Sequence, residues 1–296
     1  MAAMVERKPL EAPKNLLEAV SMLAEAMKHA HMEARGTWHL FDLSRAILHA
    51  IMDKGKKTVA RECSERSDCV QLKTPEILKE LHEFKTLLTR TMLFTSRKAF
   101  AVFDEEDVLL RKTTARILRP AFTVIRDRKS KSLIVFIRGT RSLRDMLTDA
   151  LCAPISFEHI IYSHGSEQSG NKKVSGHAHR GMVAAALWVK KRCIPVLLDA
   201  LQHHPDFKIK IVGHSLGGGT AALLTYKLRE IPQFSSSTCV TFGPAACMTL
   251  ELAEFGKPFI ISVINGSDMV PTLSVFSVHD FISEVLKLVT KMAVRK

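Results

Sequence analysis

The residues best suited to chemistry are Gly213-His214-Ser215-Leu216-Gly217, which follow an alternating apolar segment and precede a helix-forming one. A serine flanked by glycines between a strand and a helix is typical of a nucleophile elbow, where the glycines leave room because they lack a Cβ. The pattern therefore predicts Ser215 as a nucleophile. A Gly-rich turn whose serine caps the helix remains an alternative. A phosphate-binding loop is rejected, because the glycines do not fit G-x-G-x-x-G and no Lys-Ser/Thr pair closes the loop.

A carboxylate follows a later apolar segment, residues 259–264, which is typical of a buried strand. Asp268 comes just after this strand, in the sequence Asn265-Gly266-Ser267-Asp268. Catalytic groups gather at the carboxyl ends of parallel strands, and an acid after the serine orients the base of many serine hydrolases. Asp268 is therefore the predicted acid, with a simple turn aspartate as the alternative.

A serine nucleophile also requires N–H donors for the oxyanion that forms during acyl transfer. Residues 133–137 are typical of a buried strand, and Arg138-Gly139-Thr140 follows them. The backbone N–H groups of Thr140 and Leu216 are the predicted donors. An ordinary turn between a strand and a helix would leave the same pattern.

The third requirement, a general base, is the weakest part of the pattern. The histidine that follows Asp268 is His279, close to the end of the chain and at the start of an amphipathic segment, residues 281–289. His279 is the candidate base, and a helix-start residue is the alternative. Structural or lid roles are expected for three earlier histidines, His177, His179 and His214. His203 and His204 are predicted to lie in a polar turn before a strand.

The elements that must position these residues change in character along the chain. Residues 14–112 are predicted to form a helical region, in which Thr74-Pro75 begins a helix with Leu78, Leu81, Leu88 and Met92 on its buried face. Residues 113–296 are predicted to form a second domain. Its expected strands are 121–125, 133–137, 209–212, 239–242 and 259–264, and its expected helices are 143–151, 180–201 and 218–229.

This alternation predicts the α/β class, with a mostly parallel sheet and helices on both of its faces. The polar, Gly- and Ser-rich residues 163–176 are predicted to form a loop or mobile flap.

The composition indicates the class of protein and the compartment in which the chain is expected. The chain is 46% hydrophobic and 25% charged over 296 residues, which is ordinary for a globular protein. Its apolar runs fall short of the ~18–20 residues that span a membrane. The first residues lack the apolar core of a signal peptide, so a cytoplasmic location is expected. The cysteines show no zinc spacing and are predicted to be reduced and mostly buried; they are Cys63, Cys69, Cys152, Cys193, Cys239 and Cys247.

The net charge of +13 predicts attraction to anionic surfaces. Nucleic acid is not expected, because basic and aromatic residues do not alternate and no zinc-finger spacing occurs. Peripheral contact with an anionic membrane is the favoured interpretation. A solvated basic surface without a partner is the alternative.

Four sequence blocks together resemble the class 3 lipases, the fungal-lipase-like α/β-hydrolases, and are most similar to the diacylglycerol-lipase-like branch. The blocks are IVFIRGTRSLRDMLTDA (134–150), AHRGMVAAA (178–186), IVGHSLGGGTAALL (211–224) and VINGSDMVPTLS (263–274). They cover most of residues 113–280 in the order that the family requires. The helical region before them is similar to one that accompanies some of these lipases.

The resemblance implies Ser215 as nucleophile, Asp268 as orienting acid, and Thr140 with Leu216 as oxyanion donors. It also implies a lid in residues 142–150 or in the flap after them. Acylglycerols and phospholipid-like esters are the implied substrates, cleaved without a metal or organic cofactor. In that family the catalytic histidine follows the acid only after a further helix and strand, and His279 departs from this pattern.

Two hypotheses follow from this departure. The first is a lipid-ester hydrolase, with His279 as its base or with its base in a segment missing from this chain. The second is a catalytically impaired or truncated hydrolase-fold protein that binds a lipid or a protein partner.

Overall fold

The computed structural model describes residues 74–93, 101, 103–116, 118–139, 154–161, 172–264, 268 and 270–272. The helices predicted between residues 14 and 73 and over 143–151 lie outside the described residues, as do Thr140, His279 and the flap residues 163–171.

Eight strands and four α-helices are described. The strands are Val108–Lys112 (β1), Phe122–Asp127 (β2), Ser132–Ile137 (β3), Pro154–Ile161 (β4), Lys172–His179 (β5), Lys208–His214 (β6), Thr238–Phe242 (β7) and Ile260–Val263 (β8). The helices are Pro75–Leu93 (α1), Arg180–His203 (α2), Leu216–Arg229 (α3) and Leu250–Gly256 (α4). The five predicted strands correspond to β2, β3, β6, β7 and β8, and two predicted helices correspond to α2 and α3.

Six strands form one sheet in the order β1-β2-β3-β6-β7-β8. The first three pair antiparallel, and β3, β6, β7 and β8 pair in parallel. The register places Lys112 opposite Phe122, Phe122 opposite Ile137, and Ile137 opposite Gly213. The strands β1, β3, β6, β7 and β8 therefore all end at one side of the sheet, called here the carboxyl edge. This mixed, mostly parallel sheet confirms the predicted α/β class.

Helices cover both faces of the sheet, as predicted. On one face, α2 and α3 bury a large apolar cluster that includes Val124, Val135, Leu197 and Leu223. On the other face, Phe84, Leu87 and Leu88 of α1 pack against residues of β2, β3, β6 and β7, which are Ile125, Ile134, Phe136, Val212 and Val240. The sheet that carries the carboxyl edge is thus packed between helices on both faces.

Helix α1 begins as predicted after Thr74, whose carbonyl accepts the Leu78 N–H at 3.1 Å. The predicted buried face is wrong at Leu78, which is 48% exposed. Leu88 and Leu81 do pack on the sheet as predicted, and Phe84 and Leu87 complete that face.

The predicted helical region is also wrong at its end, because Val108–Lys112 is the edge strand β1. An edge strand owes its order to the hydrogen bonds of a neighbour, here β2, and that pairing leaves no signature in the periodicity of five residues.

The predicted loop over residues 163–176 is wrong from Lys172 onward. Lys172–His179 pairs antiparallel with Pro154–Ile161 in a separate two-stranded sheet. Within it, Gly176 lies so close to α4 that an added Cβ would be 2.4 Å from the Thr249 Oγ1. The glycine at this position permits close packing rather than a turn.

Three of the cysteines are described, and all three are free thiols, which confirms the prediction for Cys193, Cys239 and Cys247. Burial raises the pKa of each thiol to about 12, so they stay protonated at neutral pH. Within the described part of the chain, no helix combines the length and apolar character needed to cross a bilayer.

Candidate active site

Ser215 occupies the sharp turn between β6 and α3, at the carboxyl edge. Its backbone has φ 54° and ψ −127°, a conformation that non-glycine residues rarely adopt and that costs about 1–3 kcal/mol. Four backbone hydrogen bonds hold it there. The Ser215 N–H donates to the Phe242 carbonyl at 3.0 Å, and the Ser215 carbonyl accepts from the N–H groups of Gly218, Gly219 and Ala245 at 2.8, 3.2 and 3.2 Å. The strain is therefore maintained by the surrounding fold.

The glycines on either side of Ser215 are required by close backbone contacts. A Cβ added to Gly213 would be 2.3 Å from the Gly217 carbonyl oxygen, and one added to Gly217 would be 2.7 Å from the Arg138 carbonyl oxygen. Neither contact involves a flexible side chain that could move aside. The G-x-S-x-G spacing thus follows from the packing of the first turn of α3 against β6 and the end of β3.

We expect Gly213→Ala to lower the free energy of unfolding by about 2–3 kcal/mol, because the added methyl must displace backbone. Gly218→Ala is the matched control, since its Cβ would meet Pro244 Cβ at 3.1 Å and helix propensity favours alanine. The control should change stability by less than about 1 kcal/mol. Urea unfolding of both variants measures the difference, and equal losses would contradict this account of the elbow.

Asp268 contacts the same turn that supports Ser215. Its Oδ1 accepts the Val270 N–H at 3.0 Å, and its Oδ2 lies 2.4 Å from where a Cβ on Gly243 would stand. Gly243 has a φ of 47° and directly follows Phe242, whose carbonyl accepts the Ser215 N–H. The predicted nucleophile and the predicted acid are therefore brought to one two-residue segment, Phe242-Gly243.

His214 lies between these groups and the end of β3. A Cβ on Gly139 would stand 2.8 Å from its Nδ1, so the imidazole packs against the strand that leads to Thr140. Burial lowers the pKa of His214, and the negative charge of Asp268 partly opposes that shift. His214 is therefore half-buried and neutral near pH 7, and it packs beside the end of β3, which leads to the predicted oxyanion donor Thr140.

The predicted oxyanion donors are described in part. Leu216 is the first residue of α3, so its N–H belongs to the first turn, which has no carbonyl partner within the helix. The helix dipole adds partial positive charge at the same point. Thr140 lies outside the described residues, but its neighbour Gly139 is described and packs against the His214 carbonyl. The predicted base, His279, lies outside the described residues.

Other histidines hold structural positions in the described region. His179 caps α2, where its Nδ1 accepts the Met182 N–H at 3.2 Å. The His177 N–H donates to the Thr249 Oγ1 at 3.3 Å, and the His177 carbonyl accepts the Thr249 N–H at 2.9 Å. His203 contacts the Asp199 carbonyl at 2.9 Å. The positions of His177 and His179 match the structural roles expected from the sequence. The prediction is wrong for His203, which is the last residue of α2 and not part of a turn.

Sequence reasoning missed the importance of Phe242-Gly243. The signal was present, because an apolar strand ends in Gly243-Pro244, and a glycine in that position indicates a tight turn or a close approach.

Three carboxylates, on Asp104, Glu106 and Asp107, form a cluster before β1 with oxygen atoms within 4.8 Å of one another. Arg126 and Arg128 neutralise the buried Asp107 at 2.7 and 2.9 Å. The cluster lies at the start of β1 and so at the opposite side of the sheet from Ser215.

Comparisons with known proteins agree with this arrangement. The family model described as "Lipase (class 3)" matches residues 134–278. Diacylglycerol lipase-beta of Mus musculus is 34% identical over 172 residues, which are 57% of this chain and 24% of that protein. Diacylglycerol lipase-alpha of Homo sapiens is 27% identical over 198 residues, which are 62% of this chain and 17% of that protein. The chain thus spans a quarter or less of the length of these relatives.

Solved structures of fungal lipases share the fold. The Rhizomucor miehei lipase propeptide complex superposes with a TM-score of 0.54 at 22% identity, over 70% of this chain and 67% of that one. A fungal lipase–inhibitor complex gives 0.52 at 21% identity, over 68% of this chain and 76% of that one. The family match and the shared fold lead to one conclusion: through residues 134–278, this chain belongs to the class 3 lipases, with an α/β-hydrolase fold.

Proposed function

We propose that this protein is a serine hydrolase that cleaves carboxylic esters of lipids through an acyl-enzyme on Ser215. The observation that carries the proposal is the strained Ser215 backbone, held by Phe242 beside a carboxylate that contacts the next residue, Gly243. Strain of this kind persists where function requires it, since the rest of the fold must supply the energy.

In the proposed reaction the Ser215 hydroxyl oxygen attacks the ester carbonyl while its proton passes to an imidazole base, for which His279 is the candidate. The carbonyl oxygen gains negative charge and accepts N–H bonds from Leu216 and Thr140. The base then returns the proton to the leaving alcohol, and the acyl group stays on Ser215. Water repeats the sequence, releases the fatty acid and restores the serine.

In this mechanism Asp268 orients the base and stabilises its protonated form. Its Oδ1 is already held by the Val270 N–H, which fixes the carboxylate before substrate arrives. The chemistry requires only side chains and backbone N–H groups.

Acylglycerols are the proposed substrates, with diacylglycerol first and phospholipids second. The support is similarity to proteins named diacylglycerol lipase and to proteins named lipase. We also propose peripheral contact with anionic membranes, where such lipids reside, which the net charge of +13 favours. The cytoplasmic location expected from the sequence stays a prediction.

A serine-reactive fluorophosphonate probe, combined with release of fatty acid from diacylglycerol micelles, tests the function. We expect the full chain to react with the probe, to lose labelling in the presence of diacylglycerol, and to release fatty acid. His279→Ala should abolish both signals if His279 is the base. Folded protein that binds diacylglycerol without labelling or turnover would contradict the proposal and indicate a lipid-binding member of the fold.

A further inference from the structure

A short turn before β2 presents two arginines in a fixed geometry. The Arg116 N–H donates to the Arg119 carbonyl and the Arg119 N–H donates to the Arg116 carbonyl, both at 2.9 Å. Between them, Leu118 has a φ of 56° and is completely buried. A leucine held in this conformation costs energy that its burial offsets. The turn is thus fixed by the fold, and Arg116 is exposed on it.

This turn lies at the carboxyl edge of the sheet. It connects the end of β1 at Lys112 to the start of β2 at Phe122, and these two residues pair directly. Three strand spacings separate β1 from β6 in the sheet order, which amounts to about 14 Å. The arginine turn therefore lies on the same side of the sheet as Ser215.

Helix α2 adds the cationic side chain of Arg192 beside the turn. The Trp188 ring packs edge-on against Phe122 with centroids 5.6 Å apart. The Arg192 guanidinium lies over the Trp188 ring at 4.0 Å and donates to the Trp188 carbonyl at 3.1 Å. Burial lowers the pKa of Arg192, and the positive charge of Arg119 lowers it further, which indicates that the two guanidinium groups are near each other. Lys191, the next residue toward the N-terminus, is exposed.

The name basic rim is used here for Lys112, Arg116, Arg119 and Arg192, together with Lys191, which precedes Arg192 in α2. Among the described residues, no carboxylate forms an ion pair with Lys112, Arg116 or Lys191.

The opposite side of the sheet differs. In the turn between β2 and β3, Arg128 pairs with Glu106 at 2.6 Å, Lys129 with Glu83 at 3.7 Å, and Lys131 with Asp206 at 2.8 Å. The three basic residues of this turn are thus each paired with a carboxylate.

We propose that the basic rim binds the headgroups of anionic phospholipids and turns the carboxyl edge, with Ser215, toward the bilayer. This inference rests on the proposed function, because a lipid hydrolase must meet its substrate at a surface. Single-stranded nucleic acid fits the rim less well, since stacking needs an open aromatic face and the face of Trp188 is covered by Arg192.

Vesicle co-sedimentation of the full chain tests the proposal, with phosphatidylcholine vesicles that contain or lack 30% phosphatidylserine by design. One Lys or Arg near an anionic bilayer strengthens partitioning about fivefold. The double variant Lys112→Gln/Arg116→Gln should therefore bind phosphatidylserine vesicles about 25-fold more weakly. The matched control Lys129→Gln/Lys208→Gln removes the same charge from exposed residues at the opposite side and should bind as the wild type does.

Two further measurements separate this inference from the catalytic proposal. Ser215→Ala should bind vesicles normally, and Lys112→Gln/Arg116→Gln should hydrolyse a soluble short-chain ester at the wild-type rate. If neither the wild type nor any variant hydrolysed the soluble ester, but vesicle binding still depended on the rim charges, only the catalytic proposal would be contradicted. The rim proposal would be overturned if the rim and control variants weakened vesicle binding equally, or if the wild type did not bind vesicles. It would also be overturned if the rim variant lost binding to single-stranded RNA but kept its binding to vesicles.

Discussion

Ser215→Ala is expected to lower kcat/KM for ester hydrolysis by about 10⁶-fold and to abolish labelling by a fluorophosphonate. The variant removes the oxygen that forms the acyl bond, and the N–H donors that remain cannot replace a covalent intermediate. Its backbone stays in the same strained conformation, so the free energy of unfolding should change by less than about 0.5 kcal/mol. Turnover of a soluble ester and urea unfolding measure the two quantities separately.

Two control variants sharpen this result. Ser235→Ala removes an exposed hydroxyl that donates only to the Pro232 carbonyl, and should retain full activity. Ser215→Gly should be as inactive as the alanine variant but more stable by about 1 kcal/mol, since glycine adopts a φ of 54° without strain. Hydrolysis by Ser215→Ala within tenfold of the wild type would show that another residue is the nucleophile.

Asp268→Asn is expected to reduce kcat/KM by about 10⁴-fold, the effect of replacing the buried acid in a Ser-His-Asp triad. The amide keeps an oxygen that can accept the Val270 N–H, so the local fold should persist. What is lost is the negative charge that orients the base and stabilises its protonated form. Steady-state hydrolysis of a soluble ester measures kcat/KM, and circular dichroism checks that the variant is folded.

The matched control for this variant is Asp206→Asn, which makes the same chemical change in an exposed carboxylate paired with Lys131 at 2.8 Å. It should leave turnover unchanged, because Asp206 lies just before β6 begins, away from the carboxyl edge. An Asp268→Asn enzyme with more than about a tenth of wild-type activity would assign Asp268 to the turn alone.

The elbow was predictable because its geometry is imposed over a few residues. A Cβ added to Gly213 or Gly217 would lie 2.3 or 2.7 Å from backbone oxygen atoms, so no side chain fits at either position. The spacing of the two glycines around Ser215 is therefore enough to predict the turn. The parallel strands were predictable for a related reason, since strands covered on both faces are continuous apolar runs. Residues such as Ile211 and Val212 show this clearly.

Other features depend on partners distant in the chain. β1 ends in Arg111-Lys112 and owes its order to pairing with β2. Gly176 resembled a loop glycine, although its role is to let the hairpin approach Thr249. Leu78 fitted the same helical stripe as Leu88, but it stays exposed, while Phe84 and Leu87 pack against the sheet. Such preferences are set by the neighbouring element and leave no periodic signal in the segment itself.

The dependence of Ser215 on Phe242 has a consequence for how the protein folds. The hairpin of β2 and β3 joins neighbours in the chain, whereas Ser132 of β3 must find Lys208 of β6, and β6 must then align with β7. Contacts between distant residues form slowly, because closing the intervening chain costs entropy before it is rewarded. The bond from the Ser215 N–H to the Phe242 carbonyl exists only once this parallel pairing is complete. A partly folded chain therefore exposes its apolar strands before it has a shaped nucleophile, and hydrolytic activity should return only with the slowest phase of refolding.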